Sequence, residues 1–277
     1  MKDKTIVITG ATSGIGEAAA LALARMGARI VGVARDKSRG AKTLKKLKRT
    51  GADHQMHYAD LSRLSEMKRI AAEIRNAEPR IDVLINNAGT AAAVRRETED
   101  EFETTFATNH LAYFVLTLGL REKLLQSAPS RIINTASMTY AWAKLDLNDL
   151  QSKKSFDGTD VYAKSKLCNV LFTLELSRRL AETGVTANCL HPGFVNTRLG
   201  SQDGGLSGVF GISTSGALRP EEGCQTTVYL ASSPEVAKVS GKYFNRSAPE
   251  TLSKVTQDAT LAARLWEESE RLTGMTW

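Results

Sequence analysis

The sequence predicts an α/β fold in which a doubly wound parallel sheet of about seven strands carries helices on both faces. Short β-branched segments alternate with helical segments along the 277 residues. A glycine-rich turn joins the first strand to the first helix. No interior stretch has the composition of a linker and no internal repeat is visible. Residues 1–277 are therefore expected to form a single domain.

The predicted strands are short apolar segments bounded by glycine or polar residues. They occupy residues 4–10, 28–34, 53–61, 81–89, 130–137, 185–193 and 241–245. The first two predicted helices end at Gly27 and Gly51, residues typical of helix C-termini. The helices occupy residues 14–27, 37–51, 62–76, 100–126, 160–182 and 220–231, and another amphipathic helix lies near the C-terminus.

Residues 198–220, called the lid segment below, are the most irregular part of the sequence. Glycine and serine are interspersed there with apolar side chains. A connection of this length in a compact domain is usually functional or mobile. We expect it to cover a bound ligand, with a disordered insertion as the alternative.

The composition bounds the class of protein. Hydrophobic residues make up 42% of the chain and aromatic residues only 6%, which predicts a mainly aliphatic core. No apolar run is long enough to cross a bilayer, and no signal peptide is visible, so a cytoplasmic protein that does not enter a membrane is expected. The spacing of Cys168, Cys189 and Cys224 fits neither a disulfide framework nor a metal site, so they are expected to be reduced core residues and no metal is predicted.

The net charge of +7 is concentrated in one segment. Residues 35–49 hold eight basic side chains and one acidic side chain, Asp36. A basic patch can bind nucleic acid, but this one lacks interleaved aromatic residues and any DNA-binding motif. A solvated helix face is the favoured interpretation, and no nucleic-acid partner is expected.

The turn after the first strand has the pattern of a dinucleotide site. Residues 9–16 read TGATSGIG, with glycines at positions 10, 14 and 16. Glycine permits the tight turn and lets a pyrophosphate approach the amide groups at the helix N-terminus. A simple tight turn is the alternative, but the position between a strand and a helix favours a cofactor.

The end of the second strand predicts which dinucleotide binds. A carboxylate there would hold the ribose hydroxyls of NAD, whereas an arginine would hold the 2′-phosphate of NADP. The strand closes on Ala34, and Arg35 follows. Guanidinium groups bind phosphate well, and Lys37 and Arg39 add positive potential. NADP(H) is therefore predicted over NAD(H), although Asp36 could hold a ribose if Arg35 points away.

A tyrosine and a lysine lie four positions apart in the segment DVYAKSKLCN. Tyr162 and Lys166 fall on the same face of a predicted helix. Such a pair is either a surface feature or a proton donor and the cation that tunes it. A nearby ammonium stabilises tyrosinate and so lowers a tyrosine pKa that is otherwise near 10.

Six motifs in order along residues 4–246 resemble those of the short-chain dehydrogenase/reductase family. They are TGATSGIG at 9–16, NNAG at 86–89, Asn109, Ser137 after the fifth strand, YAKSK at 162–166, and HPGFVNT at 191–197. The sequences ARD, YAKSKLCNVLFTLELSRRL and SGKYF are similar to the retinol-dehydrogenase-like branch. Many members of that branch carry a membrane anchor, and none is expected here, so this chain is expected to depart from them in that respect.

The resemblance implies a Rossmann-like fold and a catalytic role for four residues. Tyr162 would be the general acid in reduction and the general base in oxidation. Lys166 would tune Tyr162 and hold the nicotinamide ribose. Ser137 would donate a hydrogen bond to the substrate oxygen, and Asn109 would hold a water in the proton relay.

The expected cofactor contacts come from the glycine loop and from the family motifs. Asp60 and Leu61 would border the adenine, NNAG the adenosine ribose, and HPGFVNT the nicotinamide end. The full expected set is Gly10, Thr12, Ser13, Gly14, Ile15, Gly16, Arg35, Asp60, Leu61, Asn87, Ala88, Gly89, Tyr162, Lys166, Pro192, Gly193, Val195 and Thr197.

These observations predict an NADP(H)-dependent oxidoreductase that interconverts an apolar ketone or aldehyde and the corresponding alcohol. The side chains expected to wall the substrate are Met138, Tyr140, Trp142, Phe194, Leu199, Leu206 and Phe210, with Arg198 as the one candidate for gripping a carboxylate. The alternative is a non-catalytic NADP-binding sensor, which would not need the tyrosine–lysine pair. The family often pairs its long helices, so a homodimer or homotetramer is open.

Overall fold

A computed structural model describes residues 1–199, 201–203 and 205–277. The strands within these residues are β1 Thr5–Thr9, β2 Arg29–Ala34, β3 Gln55–Tyr58, β4 Val83–Asn86, β5 Ser130–Thr135, β6 Val185–His191, β7 Tyr243–Asn245 and β8 Ala248–Glu250. They form one sheet in the order β3-β2-β1-β4-β5-β6-β7-β8. The strands from β1 to β7 pair in parallel, and β8 pairs antiparallel with β7.

Helices follow almost every strand, as a parallel sheet requires. Among the described residues they are α1 Gly14–Arg25, α2 Lys37–Leu47, α3 Leu64–Ala77, α4 Thr104–Phe106, α5 Ala112–Gln126, α6 Gly158–Arg179, α7 Gly205–Phe210, α8 Pro220–Gly223, α9 Gln225–Ser232 and α10 Ala259–Thr273. A π-helical turn, Ala107–Leu111, joins α4 to α5.

The alternation of side chains along each strand divides the core between the two faces of the sheet. In β1, Val7 faces the cluster built from α3, α5, α6 and α10. Its neighbours Ile6 and Ile8 face the opposite cluster, built from α1, α2 and α9. The helices thus cover both faces, and the predicted doubly wound α/β fold is confirmed.

The direction of winding reverses between β1 and β4, which are neighbours in the sheet. From β1 the chain moves outward through β2 to β3 and then returns to the other side of β1. In such sheets the loops after the two central strands diverge and leave a crevice at the carboxyl ends of the strands. The topology therefore places a ligand site beside the ends of β1 and β4.

The structure differs from the sequence-based expectation in three elements. Strand β8 was not predicted, because three exposed residues with a central Pro249 give almost no strand signal. The lid segment is not wholly irregular, since it contains the short helix α7. The helix expected over 220–231 is divided at Cys224 into α8 and α9.

The basic segment lies on a helix with one buried face. Thr43 and Leu47 of α2 are buried, whereas the lysines at 37, 42, 45 and 46 are exposed. The ammonium of Lys46 pairs with Glu17 of α1 at 2.8 Å. The arrangement matches the expected solvated helix face. The three cysteines are buried, as expected of core residues.

Candidate active site

A cavity of about 490 Å³ lies at the carboxyl ends of the parallel strands. It is lined by the turn after β1, the residue after β2, the exit of β3, the NNAG turn after β4, Ser137 after β5 and the HPGFVNT turn after β6. All eighteen residues expected to contact the cofactor line this one cavity. The fold thus brings together segments that are far apart in sequence.

The glycine loop leaves the N-terminus of α1 open to the cavity. Gly10 and Gly14 have φ angles of +69° and +53°, which side chains other than glycine rarely adopt. Ser13 occupies the N-cap position but makes no side-chain capping hydrogen bond, in contrast to Asp36 on α2. The first amide groups of α1 are therefore available to an anion, and the helix dipole favours negative charge there.

Thr9 fixes the distance between the glycine loop and the turn after β4. Its hydroxyl oxygen accepts hydrogen bonds from the backbone N–H groups of Asn87 and Ala88, both at 2.9 Å. The Asn87 amide donates in return to the Thr9 carbonyl at 2.9 Å. The sequence reasoning missed Thr9, whose only signal is its position immediately before Gly10.

Basic side chains border the far end of the cavity. Arg35 and Arg39 both line it, whereas Asp36 does not. The Asp36 carboxylate caps α2 by accepting the Arg39 N–H at 2.9 Å, and that hydrogen bond lowers the pKa of Asp36. The Asp36 carboxylate is thus engaged with Arg39, whose guanidinium also lies 3.4 Å from it, and Arg35 borders this end of the cavity without an ion pair to Asp36.

The shape and charge of the cavity fit a phosphorylated dinucleotide. The open helix N-terminus at Gly14–Gly16 suits a pyrophosphate. Apolar residues of β2 and of the β3 exit, Val33, Ala59 and Leu61, offer a surface for an adenine ring. The carboxylate of Asp60 is held in place because it accepts both the N–H and the hydroxyl of Ser62, at 3.1 and 2.8 Å.

Helix α6 carries the tyrosine and the lysine into the other end of the cavity. The helix begins after Asp157, whose carboxylate accepts the Asp160 N–H at 2.8 Å. Tyr162 and Lys166 then lie on one buried face, and the Lys166 ammonium is 5.5 Å from the Tyr162 ring centre. The ammonium also donates a hydrogen bond to the Thr135 carbonyl oxygen at 3.0 Å.

Burial dominates the electrostatics of this pair. It raises the pKa of Tyr162 to about 12, and the neighbouring Ser137 side chain opposes part of this rise. It lowers the pKa of Lys166 to about 7, because the buried ammonium loses its hydration. The sequence reasoning expected Lys166 to lower the pKa of Tyr162. In the protein alone the pKa lies above, not below, its ordinary value.

Asn109 lies in the π-helical turn behind the cavity and does not line it. Its side-chain oxygen accepts the Thr90 N–H at 2.7 Å, and its amide donates to the Thr90 carbonyl and the Ser165 hydroxyl, both at 2.9 Å. These bonds tie the chain after β4 to α6. The side chain is therefore occupied in positioning its neighbours, and the water-holding role implied by the resemblance stays a prediction.

Apolar side chains surround the mouth of the cavity. Met138 and Trp142 are 55% and 59% exposed, and both line it together with Phe194 and Leu199. The Phe210 ring lies edge-on to Tyr162 with ring centres 5.2 Å apart. Arg198 also lines the cavity.

Tyr140 does not line the cavity, because it is buried against Tyr243 and its hydroxyl accepts the Ser253 N–H at 3.3 Å. The side chain of Leu206 falls outside the residues that the structure describes.

Several lining residues were missed by the sequence reasoning. They are Ser62, Thr90, Ala91, Thr104, Thr108, Thr135, Ala136, Thr139, Ser201 and Ile212. Most are small residues beside the motifs, and nothing in their type signals a ligand. His191, expected to be structural, also lines the cavity and accepts the Met138 N–H on Nδ1 at 3.2 Å.

A family model described as a short chain dehydrogenase matches residues 4–204. The chain belongs to the short-chain dehydrogenase family. Its class of activity is therefore oxidoreduction. Human retinol dehydrogenase 13 is 41% identical over 281 residues, which cover 98% of this chain and 85% of that relative. Human retinol dehydrogenase 14 is 40% identical, covering 99% and 88%.

Solved structures show the same short-chain dehydrogenase architecture. An uncharacterised protein from Mycobacterium paratuberculosis aligns with a TM-score of 0.80 at 32% identity, covering 99% of this chain and 94% of that one. An NAD(P)-dependent gluconate 5-dehydrogenase from Beutenbergia cavernae with bound NADP aligns with a TM-score of 0.70 at 27% identity, covering 88% and 95%. An actinorhodin polyketide ketoreductase with NADPH gives 0.70 at 26%, covering 89% and 97%.

Over the part of the chain that the structure describes, each helix is too short or too polar to span a bilayer.

Proposed function

We propose that this short-chain dehydrogenase interconverts an apolar ketone or aldehyde and the corresponding alcohol, with NADP(H) as cofactor and Tyr162 as the general acid and base. The observation that carries the proposal is that the Tyr162 and Ser137 side chains line the same end of the cavity, beside the apolar Met138 and Phe210. Two hydroxyl groups beside one open space can both reach a single substrate oxygen. Lys166 lies behind them on the same helix face.

In the reducing direction the substrate oxygen gains negative charge and then a proton. The nicotinamide supplies the hydride when the cofactor is bound. Ser137 donates a hydrogen bond to the developing alkoxide. Tyr162 is protonated at neutral pH, since its pKa is about 12, and can donate its proton to that oxygen.

Lys166 can restore the proton that Tyr162 loses. With a pKa of about 7, its ammonium gives up a proton readily near neutral pH. In its charged form it also stabilises the tyrosinate. The Thr135 carbonyl holds the Lys166 side chain in this position at 3.0 Å. In the oxidising direction the same groups would carry the proton away from the alcohol.

Two observations support NADP(H) as the cofactor. Arg35 and Arg39 line the adenine end, where a guanidinium can bind the 2′-phosphate through two parallel hydrogen bonds. Two of the solved relatives contain NADP or NADPH according to their descriptions. Gly10–Gly16 would hold the pyrophosphate, and Asn87–Gly89 would border the adenosine ribose.

The substrate class follows from the mouth of the cavity. Met138, Trp142, Phe194 and Phe210 present apolar surface there, which suits a hydrophobic carbonyl compound. The relatives named retinol dehydrogenases would act on a long apolar alcohol of this kind. Retinal therefore belongs in a substrate panel beside simpler aldehydes and ketones.

The first experiment measures NADPH consumption with this panel in the wild type and in Tyr162→Phe. Removal of the general acid should lower kcat by about 10²–10⁴-fold while NADPH binding persists. NADPH binding without turnover of any carbonyl compound would contradict the proposal and favour a dinucleotide sensor.

The second experiment tests the cofactor preference with Arg35→Ala. Loss of one charge-assisted phosphate contact should weaken NADPH binding about tenfold or more and leave NADH binding nearly unchanged. Lys37→Ala is the matched control, because Lys37 is a nearby exposed cation that does not line the cavity. Equal loss of both cofactors in Arg35→Ala would refute the assignment.

A further inference from the structure

A bidentate ion pair connects the lid segment to the chain that follows β4. The Arg96 guanidinium donates two hydrogen bonds to the Asp203 carboxylate, at 2.8 and 2.5 Å. The Ala93 N–H adds a third bond to the same carboxylate at 3.0 Å. The Asp203 side chain is only 9% exposed. Two segments separated by more than a hundred residues are thereby held together.

This pair differs from the ordinary surface ion pairs of the protein. Exposed pairs contribute little, because solvent screens them and two long side chains must be ordered. Here the planar guanidinium meets both carboxylate oxygens, and the hydrogen bond from Arg96 lowers the pKa of Asp203 to about 2. Since that carboxylate becomes protonated only as the pH falls through about 2, the pair is intact at neutral pH.

The lid segment rests on the catalytic tyrosine directly after Asp203. Helix α7 begins two residues later, and its Val209 packs with Ala91 and Tyr162 in one small apolar cluster. The Phe210 ring contacts the Tyr162 ring edge-on at 5.2 Å. The Thr159 hydroxyl makes a long hydrogen bond, 3.4 Å, to the Val209 carbonyl.

The other partner of the pair is fixed to the start of α4, beside the cavity. The Arg96 carbonyl accepts the N–H and the hydroxyl of Thr104, both at 3.0 Å. Thr104 and Ala91 line the cavity on that side, and Leu199 and Phe210 line it on the lid side. The Arg96–Asp203 pair therefore connects these two groups of lining residues.

We propose that Arg96 and Asp203 clasp the lid segment over Tyr162 and so determine which apolar substrates the cavity holds productively. The clasp fixes the position of Val209 and Phe210 against the reacting end of the substrate. A small aldehyde needs few lid contacts, whereas a long aliphatic one depends on them. The substrate part of this inference rests on the proposed function, but the clasp itself does not.

The test compares Asp203→Asn with the control Glu222→Gln. Asp203→Asn keeps the size of the side chain and an acceptor for Ala93, but removes the charge that Arg96 binds. Glu222→Gln makes the same chemical change in an exposed pair with Arg219, at the C-terminal end of the lid segment. Each variant is assayed with NADPH and propanal, hexanal or decanal, and is also digested with trypsin, which can cut after Arg198.

The expected result for Asp203→Asn is a KM for decanal about tenfold higher than that of the wild type and a KM for propanal that is nearly unchanged. The free energy of a tenfold change in KM is within the range that one hydrogen bond to a charged group contributes. Cleavage after Arg198 should be faster in this variant alone. The exchanged pair Arg96→Asp with Asp203→Arg should restore both properties.

Indistinguishable KM values and cleavage rates for Asp203→Asn and Glu222→Gln would overturn the clasp. Equal KM increases for propanal and decanal would overturn its role in selecting substrates. If the wild type turned over no carbonyl compound, the proposed function would fail, and the tryptic cleavage rates would still decide whether the clasp exists.

Discussion

Removing the buried ammonium of Lys166 should stabilise the fold while it destroys the proposed activity. Lys166 is buried beneath Tyr162, and its ammonium donates a hydrogen bond to the Thr135 carbonyl oxygen. The substitution Lys166→Met keeps a long apolar stem in the same space. We therefore expect a more stable protein that does not turn over substrate, because active sites retain groups that the fold alone would not favour.

The size of the effect follows from the pKa. Burial lowers the pKa of Lys166 from 10.5 to about 7. At about 1.4 kcal/mol for each tenfold change in an equilibrium constant, this corresponds to at most about 5 kcal/mol at pH 7. Loss of the hydrogen bond to Thr135 offsets about 1 kcal/mol of that gain. A net increase of about 3 kcal/mol in the free energy of unfolding is a reasonable expectation.

The effect should depend on pH in one direction. Between pH 7 and 10.5 the unfolded chain binds more protons at Lys166 than the folded protein does, so wild-type stability rises with pH across this window. The methionine variant lacks this contribution. Its advantage over the wild type should therefore be largest near pH 7 and shrink towards pH 10.

The assay is urea unfolding followed by tryptophan fluorescence at pH 7, 8 and 9, for both proteins. Lys164→Met is the control, because Lys164 lies on the same helix but pairs with Asp160 at the surface, at 2.6 Å. Parallel stability curves for the wild type and Lys166→Met across this pH range would refute the reasoning. A destabilised Lys166→Met at pH 7 would refute it as well.

Two further substitutions test how the backbone around the cavity is positioned. Gly16→Ala should lose NADPH binding and about 1–3 kcal/mol of stability, because its new methyl group would collide with the Gly10 carbonyl. A dissociation constant for NADPH equal to that of the wild type would contradict this. His191→Leu leaves the Met138 N–H without its acceptor, and should cost about 1–3 kcal/mol and lower kcat through movement of the adjacent Ser137. His191→Asn supplies an alternative acceptor, so kcat should recover there, and an equal loss in both variants would argue against this positioning role.

The fold could be predicted from the sequence because its strongest sequence patterns are local. The run from β1 through the glycines into α1 joins a β-branched strand, a turn that only glycine tolerates, and an alanine-rich helix. Each of these follows from residues that are adjacent in the chain. The same holds for α6, where the four-residue spacing of Tyr162 and Lys166 fixes their common face whatever surrounds them.

Features that depend on residues far apart in the sequence could not be predicted. Whether Tyr140 faces the cavity or the core depends on Tyr243, about a hundred residues away. The occupied side chain of Asn109 depends on Thr90 and on Ser165, which come together only in the folded protein. The raised pKa of Tyr162 was not predicted for the same reason. Burial, which raises this pKa, depends on the whole folded core, whereas the sequence shows only the nearby Lys166.

The capping role of Asp36 links two properties that are usually considered separately. Its carboxylate holds the first turn of α2 and does not line the cavity, so turning it towards a ribose would release the Arg39 N–H. Recruiting it for a dinucleotide that lacks the 2′-phosphate would uncap that helix, at a typical cost of about 1 kcal/mol. If the protein prefers NADP(H) as proposed, a change to NAD(H) would therefore need a new carboxylate at another position, such as Ala34 at the end of β2, rather than a simple loss of Arg35.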